Sequence, residues 1–186
     1  MHCLVGLGNP GAEYAATRHN VGWHVADELA RRHGLELSRR RLRSHFGRGI
    51  IAGQDCLLVK PQTFMNDSGD AVARVLMYFR LPVSSVLLLY DDLNLDLGVM
   101  RFRRGGSDGG HKGVRSVLQH LHTQEVPRLR LGIGRPPPGM DAIHYVLTPF
   151  SRSEADRHRE MVERAAEAVE LYLREGMEAA MNAYNS

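Results

Sequence analysis

Side chains that can transfer protons or donate hydrogen bonds gather in one loop near the start of the chain. This loop follows the apolar run Cys3 to Val5 and contains Asn9, His19 and Asn20. An imidazole can take a proton from water near neutral pH, and an asparagine amide can donate to a carbonyl oxygen or accept from an N–H. The loop therefore combines a candidate acid-base group with two amides.

A carboxylate follows a strand in the middle of the chain. Val86 to Tyr90 is a continuous apolar run, typical of a strand covered on both faces, and it ends in Asp91 and Asp92. Exit loops of parallel strands meet at the carboxyl edge of a sheet. A carboxylate that faces one imidazole nitrogen holds the tautomer that leaves the other nitrogen free. We therefore predict that His19 and Asp91 form a general-base pair.

Another amide lies in the exit loop of a third strand. Asn66 belongs to the segment Gln62 to Gly69, which follows the apolar run Cys56 to Lys60. Like Asn9, it can donate to a carbonyl oxygen that becomes an oxyanion. No activated serine or cysteine nucleophile is apparent, so attack by water is simpler than a covalent intermediate.

The glycines of the first loop admit a different interpretation. Gly6 to Gly11 matches the G-x-G-x-x-G pattern of dinucleotide sites and follows a strand. In such sites the helix begins inside the motif, with its N-terminus at the pyrophosphate. Here the helical stripe begins only near Val21, so a dinucleotide site is the weaker hypothesis.

Two further patterns leave alternatives open. His19, His111 and Asp91 could bind a metal together, although no His-x-x-x-His or other ligand spacing supports this. The glycine-rich segment Gly105 to Gly113 could cradle phosphate, but it lacks the Gly-Lys-Ser/Thr ending of a phosphate loop. We predict that this segment is a flexible gate for a bulky substrate.

Hydrophobic periodicity and turn residues predict one α/β domain over residues 1–186 with a largely parallel sheet and a hairpin. Asp67 or Ser68 is expected to cap the second helix, and Ser151 with Glu154 to form a capping box for the last. Arg39 to Arg43 is interpreted as a basic linker. The predicted helices cover about 21–32, 114–121 and 151–176, and the helix capped at Asp67 or Ser68 has its apolar stripe at 72–79. The predicted strands cover about 3–5, 46–51, 56–60, 86–90, 99–103 and 128–133.

The composition is that of a globular protein, with 43% hydrophobic and 24% charged residues. No apolar run approaches the ~20 residues of a membrane helix and no signal peptide is recognisable, so we expect a cytoplasmic protein with no membrane partner. Cys3 and Cys56 lie in apolar runs and are expected to be buried thiols.

The formal net charge of +3 is only mildly basic, but the charge is unevenly distributed. Arginines cluster at 39–43 and at 101–104, while acidic residues gather in the C-terminal third. One face could follow a phosphate backbone. Solvated arginines in loops are the competing interpretation.

Six motifs in register carry a family resemblance. They are Gly6–Gly11 with Tyr14, Thr17–Asn20, Thr63–Gly69, Tyr90–Leu93, Gly109–His111 and Arg128–Gly134. In these motifs, and over nearly its whole length, the chain resembles the bacterial peptidyl-tRNA hydrolases. The resemblance implies a monomeric three-layer α/β/α globule with a mixed, largely parallel sheet of the phosphorylase/hydrolase-like kind. It implies hydrolysis of the ester between a peptide and the terminal ribose of tRNA, which recycles tRNA after premature release from the ribosome, without metal or organic cofactor.

The resemblance also implies roles for single residues. His19 matches the catalytic base, Asp91 its supporting carboxylate, and Asn9 a residue that favours blocked peptidyl groups over free aminoacyl-tRNA. The matches to substrate contacts are Tyr14, Phe64, Met65 and Asn66 for the peptide or the tRNA 3′ end, and Arg103 and Arg130 for the phosphate at the acceptor stem.

Lys112 departs from the family pattern, in which an asparagine usually follows Gly-Gly-His. A lysine donates hydrogen bonds but cannot accept them, and its charge suits a phosphate. We therefore predict that Lys112 is a substrate contact of altered character. A catalytically inactive RNA-binding module of the same fold is the alternative function; Lys112 is its only support, and intact His19 and Asp91 argue against it.

Overall fold

A computed structural model describes residues 1–186, and one seven-stranded sheet forms its centre. The strands are β1 (His2–Gly6), β2 (Arg39–Arg41), β3 (Ser44–Ile51), β4 (Gln54–Pro61), β5 (Val86–Asp92), β6 (Met100–Arg103) and β7 (Arg128–Gly132). Their order in the sheet is β2-β3-β4-β1-β5-β7-β6. The four central strands β4, β1, β5 and β7 are parallel, whereas β2, β3 and β6 pair antiparallel with their neighbours.

Helices cover both faces of this sheet. They are α1 (Val21–His33), α2 (Ser68–Phe79), α3 (Lys112–Leu121), α4 (Ala142–Val146), α5 (Ala155–Glu175) and α6 (Met177–Tyr184). One buried apolar cluster joins the sheet to α1, α4, α5 and α6, and a second joins it to α2 and α3. The predicted α/β architecture with a mixed sheet is therefore confirmed. No helix combines the length and the apolar character needed to cross a membrane.

The structure differs from the sequence prediction mainly at one edge strand of the sheet and at the ends of helices. Arg39 to Arg41 is an edge strand rather than a linker; all three side chains are exposed, so no apolar alternation marked it. Asp67 occupies the N-cap position of α2, but its side chain makes no capping hydrogen bond, and the Ser68 hydroxyl donates to the carbonyl of Met65 instead. The predicted capping box is only half formed, and the last helix begins four residues later than expected, at Ala155. The short helix α4 was missed.

Two glycines bring α1 unusually close to the sheet. A Cβ on Gly22 would lie 2.2 Å from the carbonyl oxygen of Leu89, and a Cβ on Gly6 would lie 2.3 Å from that of Gly22. No side chain fits at either position without displacing backbone. The glycines therefore serve helix-sheet packing, and α1 begins only at Val21, which does not fit a dinucleotide site.

Cys3 and Cys56 lie on opposite faces of the sheet. Cys3 belongs to the cluster under α2 and α3, and Cys56 to the cluster under α1 and α5. Both are free thiols, and burial raises the pKa of Cys3 to about 12 and that of Cys56 to about 11. Both behave as small apolar residues, and their positions rule out a disulfide between them.

Candidate active site

A cavity of about 810 Å³ opens at the carboxyl edge of the central strands. The loops after β1 and β4, the end of β5, the glycine-rich segment before α3 and one face of α4 all contribute to its wall. The predicted site residues that line it are Asn9, His19, Phe64, Met65, Asn66, Asp91, Arg103, Lys112 and Arg130. Tyr14 does not line it, but its ring meets that of Phe64 edge-on with centroids 6.5 Å apart.

His19 and Asp91 face each other at the inner end of this cavity. The Nδ1 atom of His19 lies 2.8 Å from Oδ2 and 2.9 Å from Oδ1 of Asp91, and both residues are buried. An ionised carboxylate only accepts hydrogen bonds, so Nδ1 carries the proton and donates it. The Nε2 atom of His19 has no partner within the protein, so its lone pair is available to a molecule in the cavity.

Burial and charge compete at this pair. Burial alone would lower the pKa of His19, but the charge and hydrogen bond of Asp91 outweigh it and raise this pKa above 6.5; Lys112 acts in the opposite direction. Burial would raise the pKa of Asp91, but the charges and hydrogen bonds of His19 and His111 hold it far below its usual range. Asp91 is therefore an anion, and His19 is a stronger base than a free imidazole.

His111 completes a chain of three side chains around Asp91. Its Nε2 atom lies 2.8 Å from Oδ1 of Asp91. Its Nδ1 atom accepts hydrogen bonds from the backbone N–H groups of Gly113 and Val114, and so caps α3. Because Nδ1 accepts two hydrogen bonds, the ring proton is on Nε2, where it is donated to the carboxylate. Sequence reasoning missed this role, because histidine is not among the preferred helix caps.

The same three residues form the metal cluster that the sequence left open. One ligand atom from each of His19, Asp91 and His111 lies within 4.8 Å of the others. Those atoms already share protons in two short hydrogen bonds, and the second nitrogen of His111 is held by α3. The arrangement fits a proton-sharing network that orients a base.

Asn9 presents an amide whose orientation is fixed. Its Oδ1 atom accepts a 2.7 Å hydrogen bond from the backbone N–H of Met65. Its backbone N–H donates to Oδ1 of Asn20, and Nδ2 of Asn20 donates back to its carbonyl. Because Oδ1 faces Met65, the NH₂ group of Asn9 is the part left for a ligand. Asn20 is fully buried, and its role in holding Asn9 was not foreseen.

Beyond Asn9, the outer wall of the cavity consists of the apolar side chains of Phe64 and Met65 and the amide of Asn66. Phe64 is 59% exposed although it is a large aromatic residue, and it contacts Tyr14 at the rim. Met65 is buried beneath it, with its sulfur close to Gly113 at the start of α3. Asn66 is exposed and has no hydrogen-bond partner. This wall can contact an extended chain through both apolar and polar groups.

The opposite wall is basic. Arg103 is exposed and makes no ion pair, whereas Nε of Arg130 lies 2.5 Å from Oδ2 of Asp92. Arg128 is buried and donates to the carbonyls of Gln124, Val126 and Ser107. The last bond ties the glycine-rich segment to β7. A structural role for Arg128 could not be recognised from the sequence, because Arg128 alternates with apolar residues as Arg130 does.

The glycine-rich segment is held at its middle. Arg128 bonds to the carbonyl of Ser107, and Asp108 pairs with Arg115 and accepts from the N–H of Gly110. Gly110 has a positive φ of 86°, which a residue with a Cβ rarely adopts. Opening of this segment as a gate stays a prediction.

Arg18 fixes the backbone immediately before His19. Its guanidinium makes two hydrogen bonds to Glu154, of 3.0 and 2.8 Å, and lies 4.3 Å from the ring centre of Tyr145 and 5.0 Å from that of Phe150. Its backbone N–H also donates to the carbonyl of Thr148. The segment that carries α4 is thereby tied to the loop that carries the base.

The two functions of His111 can be separated by mutation. We expect His111→Asn to keep the cap on α3, because asparagine is a favoured cap, but to lose the donor to Asp91. A hydrogen bond to a charged group is worth about 1.5–3 kcal/mol, so kcat should fall by roughly tenfold or more. Because the cap is kept, the free energy of unfolding in urea should fall by no more than the value of the lost hydrogen bond, about 1.5–3 kcal/mol. Unchanged kcat would show that His111 serves the helix alone.

Known proteins are similar to this chain in both sequence and fold. A family model described as peptidyl-tRNA hydrolase matches residues 3–186. The peptidyl-tRNA hydrolase of Chloroflexus aggregans is 49% identical over 186 residues, covering 100% of this chain and 99% of the relative. That of Symbiobacterium thermophilum is 48% identical over 185 residues, covering 98% of each chain. The crystal structure of peptidyl-tRNA hydrolase from Acinetobacter baumannii has a TM-score of 0.93 at 34% identity, covering 100% of this chain and 95% of that one. By sequence and by structure, this chain belongs to the peptidyl-tRNA hydrolase family.

Proposed function

We propose that this enzyme hydrolyses the ester between a peptide and tRNA, with water activated by His19. The observation that carries the proposal is the His19–Asp91 hydrogen bond, which leaves the free Nε2 atom of His19 facing a cavity large enough for a 3′ end and a peptide. Family membership supports the substrate class, and the raised pKa of His19 supports its use as a base.

The reaction balances with these residues alone. Nε2 of His19 takes a proton from water as the oxygen attacks the ester carbonyl, which becomes an oxyanion. The tetrahedral intermediate then breaks the bond to the ribose oxygen, and the imidazolium returns the proton to that oxygen. The products are a peptide with a free carboxyl group and tRNA with a free hydroxyl. Asp91 stays ionised and stabilises the imidazolium between the two steps.

Asn9 supplies the donor that a blocked substrate needs. Since its Oδ1 atom accepts from Met65, its Nδ2 group is free to donate to the oxyanion or to the acyl carbonyl on a blocked α-nitrogen. A free aminoacyl group has no such acyl carbonyl. In this proposal the peptide or the last nucleotide contacts Tyr14, Phe64, Met65 and Asn66. The backbone N–H of Met65 also holds the Asn9 side chain in place.

Basic residues on the far wall bind the tRNA backbone in this proposal. Arg103 is exposed without a partner, and Arg130, which pairs with Asp92, lines the same cavity, so both are placed to meet phosphates of the acceptor stem. We further propose that the chain acts as a single-domain monomer in the cytoplasm, where it recycles tRNA from peptidyl-tRNA that the ribosome releases prematurely. One continuous sheet spans the chain, in accord with a single domain.

Replacing Arg103 by glutamine should weaken tRNA binding and flatten its dependence on salt. Each phosphate contact contributes about one unit to the slope of log K against log salt concentration, so the slope should fall by about one. The same variant should hydrolyse a minimal ester that lacks the acceptor stem as fast as wild type does. The control is Arg48→Gln, which removes an exposed arginine on the distant β3 strand. Equal loss on both substrates would show that Arg103 supports the fold.

The decisive test of the function is release of an N-acetylated amino acid from tRNA. Wild type should release it, and His19→Ala should lose at least about 10²-fold in rate, while its thermal unfolding and tRNA binding are checked in parallel. If wild type binds tRNA but releases nothing, the chain is the inactive RNA-binding module and the hydrolase proposal fails.

A further inference from the structure

Lys112 brings a positive charge into the cavity beside the base. It is the first residue of α3, directly after His111, and its exposed side chain lines the same cavity as His19. The first turn of α3 is held tightly against the opposite loop, since a Cβ on Gly113 would lie 2.4 Å from the sulfur of Met65. The backbone of Lys112 is therefore held next to His111, which bonds to Asp91.

The ammonium group of Lys112 is not neutralised by a neighbour. It takes part in no ion pair and no side-chain hydrogen bond, in contrast to most charged groups in the cavity wall. Those groups pair as follows: Asp91 with His19 and His111, Asp92 with Arg130, and Asp108 with Arg115. The remaining cations are Arg103, which is free, and Arg128, whose guanidinium donates to backbone carbonyls.

The substrate must bring its α-nitrogen into the field of this charge. The water stands within hydrogen-bond reach of Nε2 of His19, and the ester carbon about 3 Å beyond it. The α-nitrogen is two bonds from that carbon. Lys112 lines the same cavity as His19 and directly follows His111, so its charge acts on an α-nitrogen bound beside His19.

We propose that Lys112 is a specificity-determining residue that repels substrates with a free α-ammonium group. Peptidyl-tRNA has an uncharged amide at this nitrogen and meets no such repulsion, whereas ordinary aminoacyl-tRNA carries a positive charge there. This inference rests on the proposed function and deepens it. Asn9 stabilises the blocked substrate with a hydrogen bond, and the charge of Lys112 disfavours binding of the substrate with a free α-ammonium group. The two effects are independent and both favour hydrolysis of the blocked form.

The test compares N-acetyl-aminoacyl-tRNA with the corresponding aminoacyl-tRNA at pH 6.5. The measured quantity is the ratio of kcat/KM for the blocked substrate to that for the free one, after subtraction of spontaneous hydrolysis. Lys112→Met removes the charge and keeps the aliphatic stem, and this ratio should fall by about threefold to tenfold. Lys112→Arg should keep the wild-type ratio. The control Arg157→Gln removes an exposed positive charge on α5 outside the cavity, and should also keep it.

A change of pH separates charge repulsion from a change of shape. Free α-amino groups lose their proton near pH 8, so the difference between wild type and Lys112→Met should shrink at pH 8.5. A change in the protonation of His19 acts on both substrates and cancels in the ratio. A difference that persists at pH 8.5 would overturn the proposal.

The remaining outcomes are distinguishable from failure of the hydrolase itself. If Lys112→Met loses the same factor on both substrates, Lys112 binds a shared group such as a phosphate, and the inference is wrong. If wild type does not hydrolyse the acetylated substrate at all, the proposed function fails. Hydrolysis by wild type with an unchanged ratio in Lys112→Met overturns the inference alone.

Discussion

Asp91→Asn is expected to lower kcat on a blocked aminoacyl-tRNA by roughly 10²- to 10⁴-fold. Asp91 accepts one N–H from His19 and one from His111. An asparagine has one oxygen acceptor, and its NH₂ group would favour the His19 tautomer with the proton on Nε2. That tautomer cannot take a proton from water.

The pH profile should change along with the plateau rate. In wild type His19 must be unprotonated, and Asp91 raises its pKa, so activity is lost as the pH falls through a value above 6.5. Without the Asp91 carboxylate the acidic limb of the pH–rate profile should move to lower pH, while the maximal rate falls. Steady-state kinetics between pH 5 and pH 8 would measure both changes.

Asp92→Asn is the matched control for this variant. Asp92 pairs with Arg130 and accepts from the backbone of Asn94, and it does not contact His19. Its substitution should affect tRNA binding more than kcat. Equal losses of kcat in the two variants would contradict the assignment of Asp91 as the supporting carboxylate.

Asn9→Asp should lower kcat/KM on a blocked substrate by about 10²- to 10³-fold, because it replaces a fixed donor by an anion. The new side chain can still accept from Met65, so the loop should keep its shape. Its negative charge should also attract an α-ammonium group, and preference for the blocked substrate should fall.

The appropriate control for Asn9→Asp is Asn182→Asp on α6. It adds the same charge at an exposed position far from the cavity, so activity should be unchanged. Circular dichroism and thermal unfolding would establish that both variants fold. A folded Asn9→Asp with normal kcat/KM would show that this amide does not act on the substrate.

The fold and the central pair were predictable because they depend on simple regularities. Buried parallel strands appear in the sequence as continuous apolar runs, and their exit loops must share one edge of the sheet. These two facts predict that His19 and Asp91 lie near each other although 72 positions separate them. Once the two backbones are this close, only the side-chain rotamers of His19 and Asp91 remain to be fixed.

The features that were missed depend on contacts that leave no local pattern. Arg18 finds Glu154 across 136 positions, and nothing in either segment points to the other. His111 caps a helix with a side chain that is rare in that role. Three exposed arginines form β2 only because β3 offers an unpaired edge. Each of these follows from tertiary context rather than from propensity.

The position of β1 in the sheet has a consequence for translation. β1 is made first, yet it lies between β4 and β5, so that Leu4 pairs with Leu58 on one side and with Leu87 on the other. The β3–β4 hairpin can form early in a nascent chain because its contacts are local. His19 cannot meet Asp91 until half of the polypeptide has emerged, and the bonds from Asn185 to Phe102 in β6 form later still. A nascent chain that ends before Asp91 therefore lacks the His19–Asp91 pair.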